Sequence, residues 1–507
     1  MDHASRERDP AGDGAPTETG RHRRPHSTAS DLQRYAGLFA ARTRVMRSSA
    51  MRDLMEITAR PEVISLAGGL PDTSTFPPES FAAQMTRIAQ ESAAKALQYG
   101  PTEGFAETKE VICDVMRAEG MDPDRDDVLV TTGGQQAIDL ICKALIDPGD
   151  VVIAEGPTYP GAVPTFCSYE ADTRQVEMDE DGMRIDALEE LLAELEREGR
   201  RPKFIYSVPT FQNPGGVTMS LERRRRLVQI AREREILVIE DNPYGLLRFG
   251  GEQPIPLYSL DGGDYVLYVG TLSKILSPGI RIGWVCAPPP VMAKLVLGKG
   301  ASDLCTSTLS QFFVREYFAE GRWLDYVAEL SRIYRSRRDA MIEALERYFP
   351  PQATWSEPEG GLFLWATMPD YIDTTDLLAK ALRDNVAFVP GEAAYTDGRG
   401  SGSMRLNYSA QTEDEIREGV RRIGAVIDQQ VTLYETMTGE HRIVPAAETH
   451  DDGEGSVLPF HRRPPEGNGD TGPTALVPVE VPGLQDIVQV TTDSYTTYAL
   501  QSDGTVW

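Results

Sequence analysis

One lysine of this chain, Lys274, has neighbours that suit carbonyl chemistry. It follows an apolar segment, the hydroxyls of Thr271 and Ser273 flank it, and Arg281 follows seven residues later. A buried lysine amine forms Schiff bases with carbonyl compounds, and hydroxyls beside an arginine form an anion site. Upstream, Asp241 ends a second apolar segment, where its carboxylate can keep a pyridine nitrogen protonated. An aldehyde, an anion and a pyridine ring are the groups that these side chains would bind.

Pyridoxal 5'-phosphate (PLP) carries all three groups, so the sequence predicts a PLP site. Tyr244 and Asn213 could each bind the ring hydroxyl, and Tyr159 follows a predicted strand at a point where it could lie over a flat ring. Each residue also has an ordinary alternative. Asp241 could cap a helix, Asn213 could belong to a simple Asn-Pro turn, and Tyr159 could be a core aromatic.

Two further segments could bind anions. Gly133, Gly134 and Gln135 open a predicted helix, whose first N–H groups and positive dipole end attract a phosphate. The segment is neither a G-x-G-x-x-G nor a Walker loop, so nothing supports dinucleotide or ATP binding. Arg405 could hold a substrate α-carboxylate with two hydrogen bonds, or form a surface salt bridge. The run Arg223–Arg226 is expected to be the solvated face of a helix.

Composition excludes several classes of function. All six histidines lie at or before position 26 or at or after position 441, so the central region cannot use histidine catalysis or a histidine-ligated metal, and no metal site is predicted. The net charge of −27 argues against nucleic acid or an anionic membrane as a partner, and no apolar run has the length of a membrane span. Five scattered cysteines without a C-x-x-C motif predict reduced thiols in a cytoplasmic protein.

The hydrophobic pattern predicts an α/β protein. Short apolar runs, taken as strands buried on both faces, alternate with helical patterns, and the 507-residue length implies two or more domains. One long helix is expected over Trp323–Tyr348. The predicted segments are a disordered tail (1–30), an N-terminal arm (31–75), a large PLP-binding domain (76–310), a small C-terminal domain (311–435), a disordered linker (436–482) and a partial repeat (483–507).

The ordered motifs resemble fold-type I PLP enzymes, specifically class I/II aminotransferases of the α-aminoadipate/kynurenine aminotransferase-like subgroup. The resemblance covers about Met46 to Ile427. It rests on these segments: Ile64-Ser-Leu-Ala-Gly-Gly-Leu-Pro, Gln98-Tyr-Gly-Pro-Thr-Glu-Gly, Thr132-Gly-Gly-Gln-Gln-Ala, Asn213-Pro-Gly-Gly, Glu240-Asp-Asn-Pro-Tyr, Ser273-Lys274 and Met404-Arg-Leu-Asn-Tyr. It implies a large domain with a mainly parallel sheet, a smaller α/β domain, and transfer of an amino group between an L-amino acid and a 2-oxo acid.

The resemblance also implies roles for individual residues. Lys274 bonds covalently to PLP and shuttles the proton, and Asp241 pairs with the ring nitrogen. The phosphate is held by Gly134, Gln135, Thr271, Ser273 and Arg281, with Gly133 beside them. Arg405, Gly68 and Asn213 contact the substrate. Tyr99 reaches the cofactor from a second subunit, which implies an obligate homodimer.

Arg52, the C-terminal segment and the type of activity each allow more than one interpretation. Arg52 resembles an arginine placed over the substrate side chain, which would suit glutamate or 2-oxoglutarate. Residues 482–507 resemble part of one RCC1-type repeat, and one incomplete repeat cannot close a propeller. The alternatives to a transaminase are a decarboxylase or lyase on the same scaffold, a non-catalytic regulator with this fold, and a scaffold whose tail recruits a partner.

Overall fold

A computed structural model describes residues 35–46, 54, 58 and 60–438, together with the backbone of two strands at 487–492 and 497–501. The described residues up to 438 belong to one compact unit, and the two late strands belong to another. Among the described residues, no helix is both long enough and apolar enough to cross a membrane.

The strands alternate with helices along most of the chain. The strands are β1 (Ile64–Ser65), β2 (Val128–Thr131), β3 (Val151–Gly156), β4 (Asp172–Asp179), β5 (Gly182–Met183), β6 (Phe204–Ser207), β7 (Leu237–Asp241), β8 (Val266–Thr271), β9 (Gly283–Cys286), β10 (Thr354–Trp355), β11 (Phe363–Thr367), β12 (Val386–Ala387), β13 (Val389–Pro390), β14 (Ser403–Asn407), β15 (Ile487–Thr492) and β16 (Thr497–Gln501). The α-helices are α1 (Pro78–Glu91), α2 (Ala93–Ala96), α3 (Ala106–Ala118), α4 (Gly134–Leu145), α5 (Ala162–Ser168), α6 (Ile185–Arg197), α7 (Leu221–Arg234), α8 (Leu257–Asp261), α9 (Pro289–Ser302), α10 (Thr308–Ala319), α11 (Trp323–Tyr348), α12 (Thr374–Ala381) and α13 (Glu413–Thr438).

An eight-stranded sheet forms the core, in the order β2-β9-β8-β7-β6-β3-β4-β5. Strands β4, β3, β6, β7 and β8 run parallel to one another, whereas β9 is antiparallel to both β2 and β8. Every residue of β2, β3 and β6 is buried, as the apolar runs predicted. Because the carboxyl ends of parallel strands meet at one edge, the loops after them converge there.

A smaller antiparallel sheet has the order β10-β11-β14-β13, and β1 pairs in parallel with β12. The long helix predicted over Trp323–Tyr348 is confirmed, with the same bounds. The mixed α/β architecture is confirmed as well. The division of the chain at 31–75, 76–310 and 311–435 stays a prediction. So does the RCC1-type repeat: β15 and β16 pair antiparallel, but residues 493–496 and 502–507 and the tail at 1–30 lie outside the described residues. The first three residues assigned to the linker, 436–438, belong to α13, and the rest of the linker lies outside the described residues.

The expectation for Arg223–Arg226 was wrong at its second position. Arg224 is fully buried, and its guanidinium lies 3.8 Å from the fully buried carboxylate of Glu240. The same guanidinium donates to the carbonyls of Met219 and Pro209, at 2.9 and 2.5 Å. The charge is therefore satisfied inside the protein, so a run of arginines did not mark a solvated face throughout.

Candidate active site

A cavity of about 600 Å³ lies where the loops after the parallel strands converge. It brings together eleven residues that the sequence nominated: Gly134, Gln135, Tyr159, Asn213, Asp241, Tyr244, Thr271, Ser273, Lys274, Arg281 and Arg405. Several of them follow from strand ends, since Asp241 ends β7 and Thr271 ends β8. The topology therefore gathers residues that are more than 250 positions apart in the chain into one site.

Lys274 lies inside this cavity with its amine held by the backbone. Its Nζ donates a hydrogen bond to the carbonyl of Gly69 at 2.6 Å. Burial, together with the positive charges of Arg405 and Arg281, lowers the pKa of Lys274 to about 8, although Asp241 opposes the shift. A substantial fraction of the amine is therefore neutral near physiological pH, which is the form that attacks a carbonyl carbon.

Asp241 is the buried carboxylate of the site, with 7 % of its surface exposed. Its Oδ2 accepts a hydrogen bond from the hydroxyl of Tyr206 at 2.5 Å. Burial raises the pKa of Asp241 to about 6, whereas the Tyr206 hydrogen bond lowers it. The carboxylate is thus ionised above about pH 6 and can balance a positive charge in the cavity.

The start of α4 forms an anion cradle with the residues after β8. Gly133 precedes the helix with φ +77° and ψ 169°, and no side chain caps the first N–H groups. Arg281 reaches across, and its Nη2 donates to the carbonyl of Thr132 at 3.1 Å. Thr271 and Ser273 place their hydroxyls 2.9 Å apart at the same end of the cavity. Backbone N–H groups, two hydroxyls and a guanidinium are a donor set that suits a phosphate.

Arg405 is buried, with 2 % of its surface exposed, so it is not a surface residue. Its guanidinium donates to Asn213 Oδ1 at 2.9 Å and to the Ala67 carbonyl at 2.8 Å, and its Cζ lies 4.2 Å from the centre of the Phe363 ring. Asn213 in turn donates from Nδ2 to the hydroxyl of Tyr244 at 3.3 Å. One asparagine therefore joins the arginine to the tyrosine that was expected at the ring hydroxyl.

Tyr159 and Gln135 line the remaining wall. Tyr159 packs closely over Gly161, since a Cβ at that glycine would come within 2.4 Å of the tyrosine ring. Burial, and next the charge of Asp241, raise the pKa of Tyr159, so its hydroxyl stays protonated. Gln135 donates from Nε2 to Thr165 Oγ1 at 2.7 Å. Both side chains are thus held by α5 and the turn before it.

Among the described residues, three nominated ones do not line the cavity, namely Gly133, which precedes α4, Gly68 and Tyr99. Gly69 rather than Gly68 lines the cavity. Tyr99 does not line the cavity of its own chain and is 78 % exposed. Arg52 lies outside the described residues.

Sequence reasoning missed several residues that shape the site. Tyr206 binds Asp241, Gly69 accepts from Lys274, and Phe363 stacks on Arg405. The only available signal for Tyr206 was its position in an apolar strand that precedes the strand of Asp241. That signal does not distinguish it from a core aromatic.

Comparison with known proteins places the chain in a family. The family model for class I and II aminotransferases matches residues 61–423. An aromatic-amino-acid aminotransferase of Thermococcus litoralis is 43 % identical over 399 residues, which are 78 % of this chain and 95 % of that protein.

Two solved structures are similar in fold as well as in sequence. A kynurenine aminotransferase of Pyrococcus horikoshii has a TM-score of 0.75 and 40 % identity, covering 79 % of this chain and 98 % of that one. An α-aminoadipate aminotransferase of Thermus thermophilus, complexed with N-(5'-phosphopyridoxyl)-L-leucine, has a TM-score of 0.73 and 36 % identity, covering 79 % and 99 %. This chain therefore belongs to the class I and II aminotransferases, and it is an enzyme that transfers an amino group between an amino acid and a 2-oxo acid.

Proposed function

We propose that this transaminase works with PLP bound at Lys274 and uses glutamate and 2-oxoglutarate as one of its substrate pairs. The observation that carries the proposal is the cavity itself. It combines a half-buried amine with a lowered pKa, a buried carboxylate and the uncapped start of a helix in about 600 Å³. A decarboxylase or lyase would use the same groups, but the aminotransferase family and its relatives do not favour it.

The residues present fit PLP. When bound, PLP supplies an aldehyde that takes up the amino group and a ring that accepts electrons. Lys274 would hold the aldehyde, Asp241 would pair with the ring nitrogen, and Arg281, Thr271 and Ser273 would bind the phosphate. The fit rests on the donors of this chain: a Cβ at Gly133 would lie 2.2 Å from Arg281 Nη2, so the absence of a side chain there keeps the cradle open.

The chain's own groups would then handle the substrate. Arg405 offers a buried guanidinium for the α-carboxylate, and Asn213 fixes the orientation of that guanidinium through its Oδ1. When the substrate amino group has taken its place at the aldehyde, the Lys274 amine would be free to accept a proton from the substrate Cα and to return it as an ammonium group. Arg405 is buried and Lys274 is half-buried, so the walls of the cavity limit the access of water to the proton in transit.

We also propose that the working unit is a homodimer in the cytoplasm. Two large side chains in the segment between α2 and α3 support a covering partner, since Leu97 is 79 % exposed and Tyr99 is 78 % exposed. Large exposed apolar groups close together in the chain are typical of an interface. All five cysteines are free, which is consistent with a reducing compartment. Sedimentation of the holoenzyme tests the dimer, and an active monomer at assay concentration would contradict it.

Amino acids of different side chains should be tested against 2-oxoglutarate, with glutamate formation as the measurement. Lys274→Ala is the control and should show no turnover. Product analysis separates the alternatives, because a decarboxylase would release CO₂ and a lyase would release a cleaved side chain. Absence of glutamate with every donor would remove 2-oxoglutarate from the proposal.

In this proposal, the use of substrates with an acidic side chain depends on Arg52. Arg52→Ala should weaken the half-reactions of glutamate and 2-oxoglutarate by roughly tenfold to a hundredfold, the value of a hydrogen bond to a charged group. It should leave an apolar or aromatic amino acid almost unchanged. Arg405→Ala is the comparison variant and should harm every substrate. Equal losses for acidic and apolar substrates in Arg52→Ala would refute the assignment.

A further inference from the structure

Tyr206 donates a hydrogen bond to Asp241 from the neighbouring strand of the sheet. The tyrosine belongs to β6 and is paired in register with Ile239, two residues before Asp241 in β7. Its hydroxyl donates to Oδ2 at 2.5 Å, and its side chain is fully buried. We propose that Tyr206 is a positioning residue that fixes one carboxylate oxygen of Asp241 and keeps this residue ionised for the ring nitrogen of PLP. The proposal rests on the assignment of Asp241 as the ring partner.

The tyrosine ring itself is held in place. The ring of Phe166 meets it edge-on, with centroids 5.5 Å apart and an interplanar angle of 75°. Phe166 is fully buried in α5, the helix whose Thr165 binds Gln135 in the wall of the cavity. The hydroxyl therefore cannot turn toward water without moving a packed helix. A fixed donor at Oδ2 leaves the orientation of the Asp241 carboxylate defined before any ligand binds.

The charges around Asp241 make this donor important. Four titratable groups besides Tyr206 interact electrostatically with the carboxylate: Lys274, Tyr159 and Tyr244 from the cavity, and Glu155 from the opposite face of the sheet. Glu155 is itself a buried carboxylate and raises the pKa of Asp241, whereas Lys274 lowers it. Burial has the largest effect and also raises the pKa. Besides the Tyr206 hydroxyl, Lys274 opposes protonation of Asp241, and losing the hydroxyl would remove the larger of these two effects.

Tyr206 is suited to this task because it does not titrate near neutral pH. Burial, and next the negative charge of Asp241, raise its pKa well above 10. The hydroxyl therefore stays a donor over the whole working range. No histidine lies between positions 27 and 440, so a donor that changes charge near pH 6.5 is absent from this part of the sequence.

The test compares Tyr206→Phe with Tyr268→Phe. Tyr268 is a matched control, because it is also fully buried in the sheet and donates to a buried carboxylate, that of Glu119, but it does not line the cavity. The apoenzymes are titrated with PLP between about pH 5 and 9, and each variant's Kd is divided by that of the wild type at the same pH. This ratio cancels the effect of PLP's own protonation on binding, because that effect is the same for both proteins.

For Tyr206→Phe, the Kd ratio should be about tenfold at pH 6 and should fall as the pH rises toward 9, because Asp241 of the variant ionises only at higher pH. A ratio near one at all pH values, or the same pH-dependent ratio in Tyr268→Phe, would overturn the proposal. A wild-type protein that binds no PLP would instead overturn the proposed function.

A cofactor analogue makes the test independent of any loss of folding. In 1-deazapyridoxal 5'-phosphate, carbon replaces the ring nitrogen, so Asp241 has no partner to stabilise. With this analogue Tyr206→Phe should show no loss of affinity relative to the wild type at any pH. A Tyr206→Phe penalty that persists with the analogue would show that the tyrosine supports the fold alone, and the proposal would be wrong.

Discussion

Gly133→Ala should weaken PLP binding through a single displaced side chain. The φ of +77° and ψ of 169° at Gly133 lie in a region that residues with a Cβ hardly populate. A Cβ there would also lie 2.2 Å from Arg281 Nη2 and 2.8 Å from its Cζ. The guanidinium is the end of a flexible chain, so it would move away rather than unfold the helix start.

Gly133→Ala should have two effects, a loss of stability and a loss of affinity for PLP. The backbone strain costs on the order of 1–3 kcal/mol of stability. Displacing Arg281 removes its bond to the Thr132 carbonyl and its proposed contact with the phosphate, and a hydrogen bond to a charged group is worth about 1.5–3 kcal/mol. The second effect corresponds to a roughly tenfold to hundredfold higher Kd for PLP.

Gly120→Ala separates the two effects. Gly120 also has a positive φ, +84°, but no heavy atom lies within 4 Å of the position that a Cβ would take there. Urea unfolding of the apoproteins should show a loss of stability in both variants, whereas PLP titration should show weaker binding in Gly133→Ala alone. Wild-type PLP affinity in Gly133→Ala, or an equal loss in Gly120→Ala, would refute the role given to the cradle.

Three more predictions concern Lys274, Arg224 and Asn213. The rate at which the apoenzyme combines with PLP should rise as the pH passes through about 8, because neutral Lys274 is the reactive form; a midpoint near 10.5 in stopped-flow measurements would contradict its lowered pKa. Arg224→Met should lower the free energy of unfolding by about 3–5 kcal/mol, since Glu240 then stays buried without its cation, and Glu240→Gln added to it should recover part of the loss in urea unfolding. Asn213→Ala should raise the KM of every amino acid about tenfold by freeing Arg405, and a change confined to one substrate class in steady-state assays would argue against this.

The sequence predicted those parts of the site that sit at strand ends. Asp241 and Thr271 each close an apolar run, and parallel strands bring such ends to one edge, so their meeting follows from topology alone. The glycines at the start of α4 could be predicted as an anion site for a similar reason, because the start of a helix leaves N–H groups unpaired. The family motifs then supplied the order of these parts along the chain.

Contacts across strands could not be predicted in this way. Tyr206 lies 35 positions before Asp241, and their hydrogen bond depends on the register of β6 against β7, which the sequence does not reveal. The same limit explains Arg224. A run of charged residues on a helix usually faces solvent, and only the packing of α7 over β7 shows that one arginine reaches the buried carboxylate of Glu240.

The end of β6 links the cofactor side of the cavity to its substrate side. Tyr206 and Ser207 are consecutive, so their side chains point to opposite faces of the sheet. Tyr206 holds Asp241, and Ser207 donates to Glu155 at 2.5 Å. Glu155 also accepts from Gln212 at 2.9 Å, which fixes the loop that carries the next residue, Asn213, to Arg405. Two adjacent residues thus anchor both the carboxylate that we propose for the ring and the loop that orients the arginine proposed for the substrate, so a shift of this strand end should disturb cofactor affinity and substrate binding together.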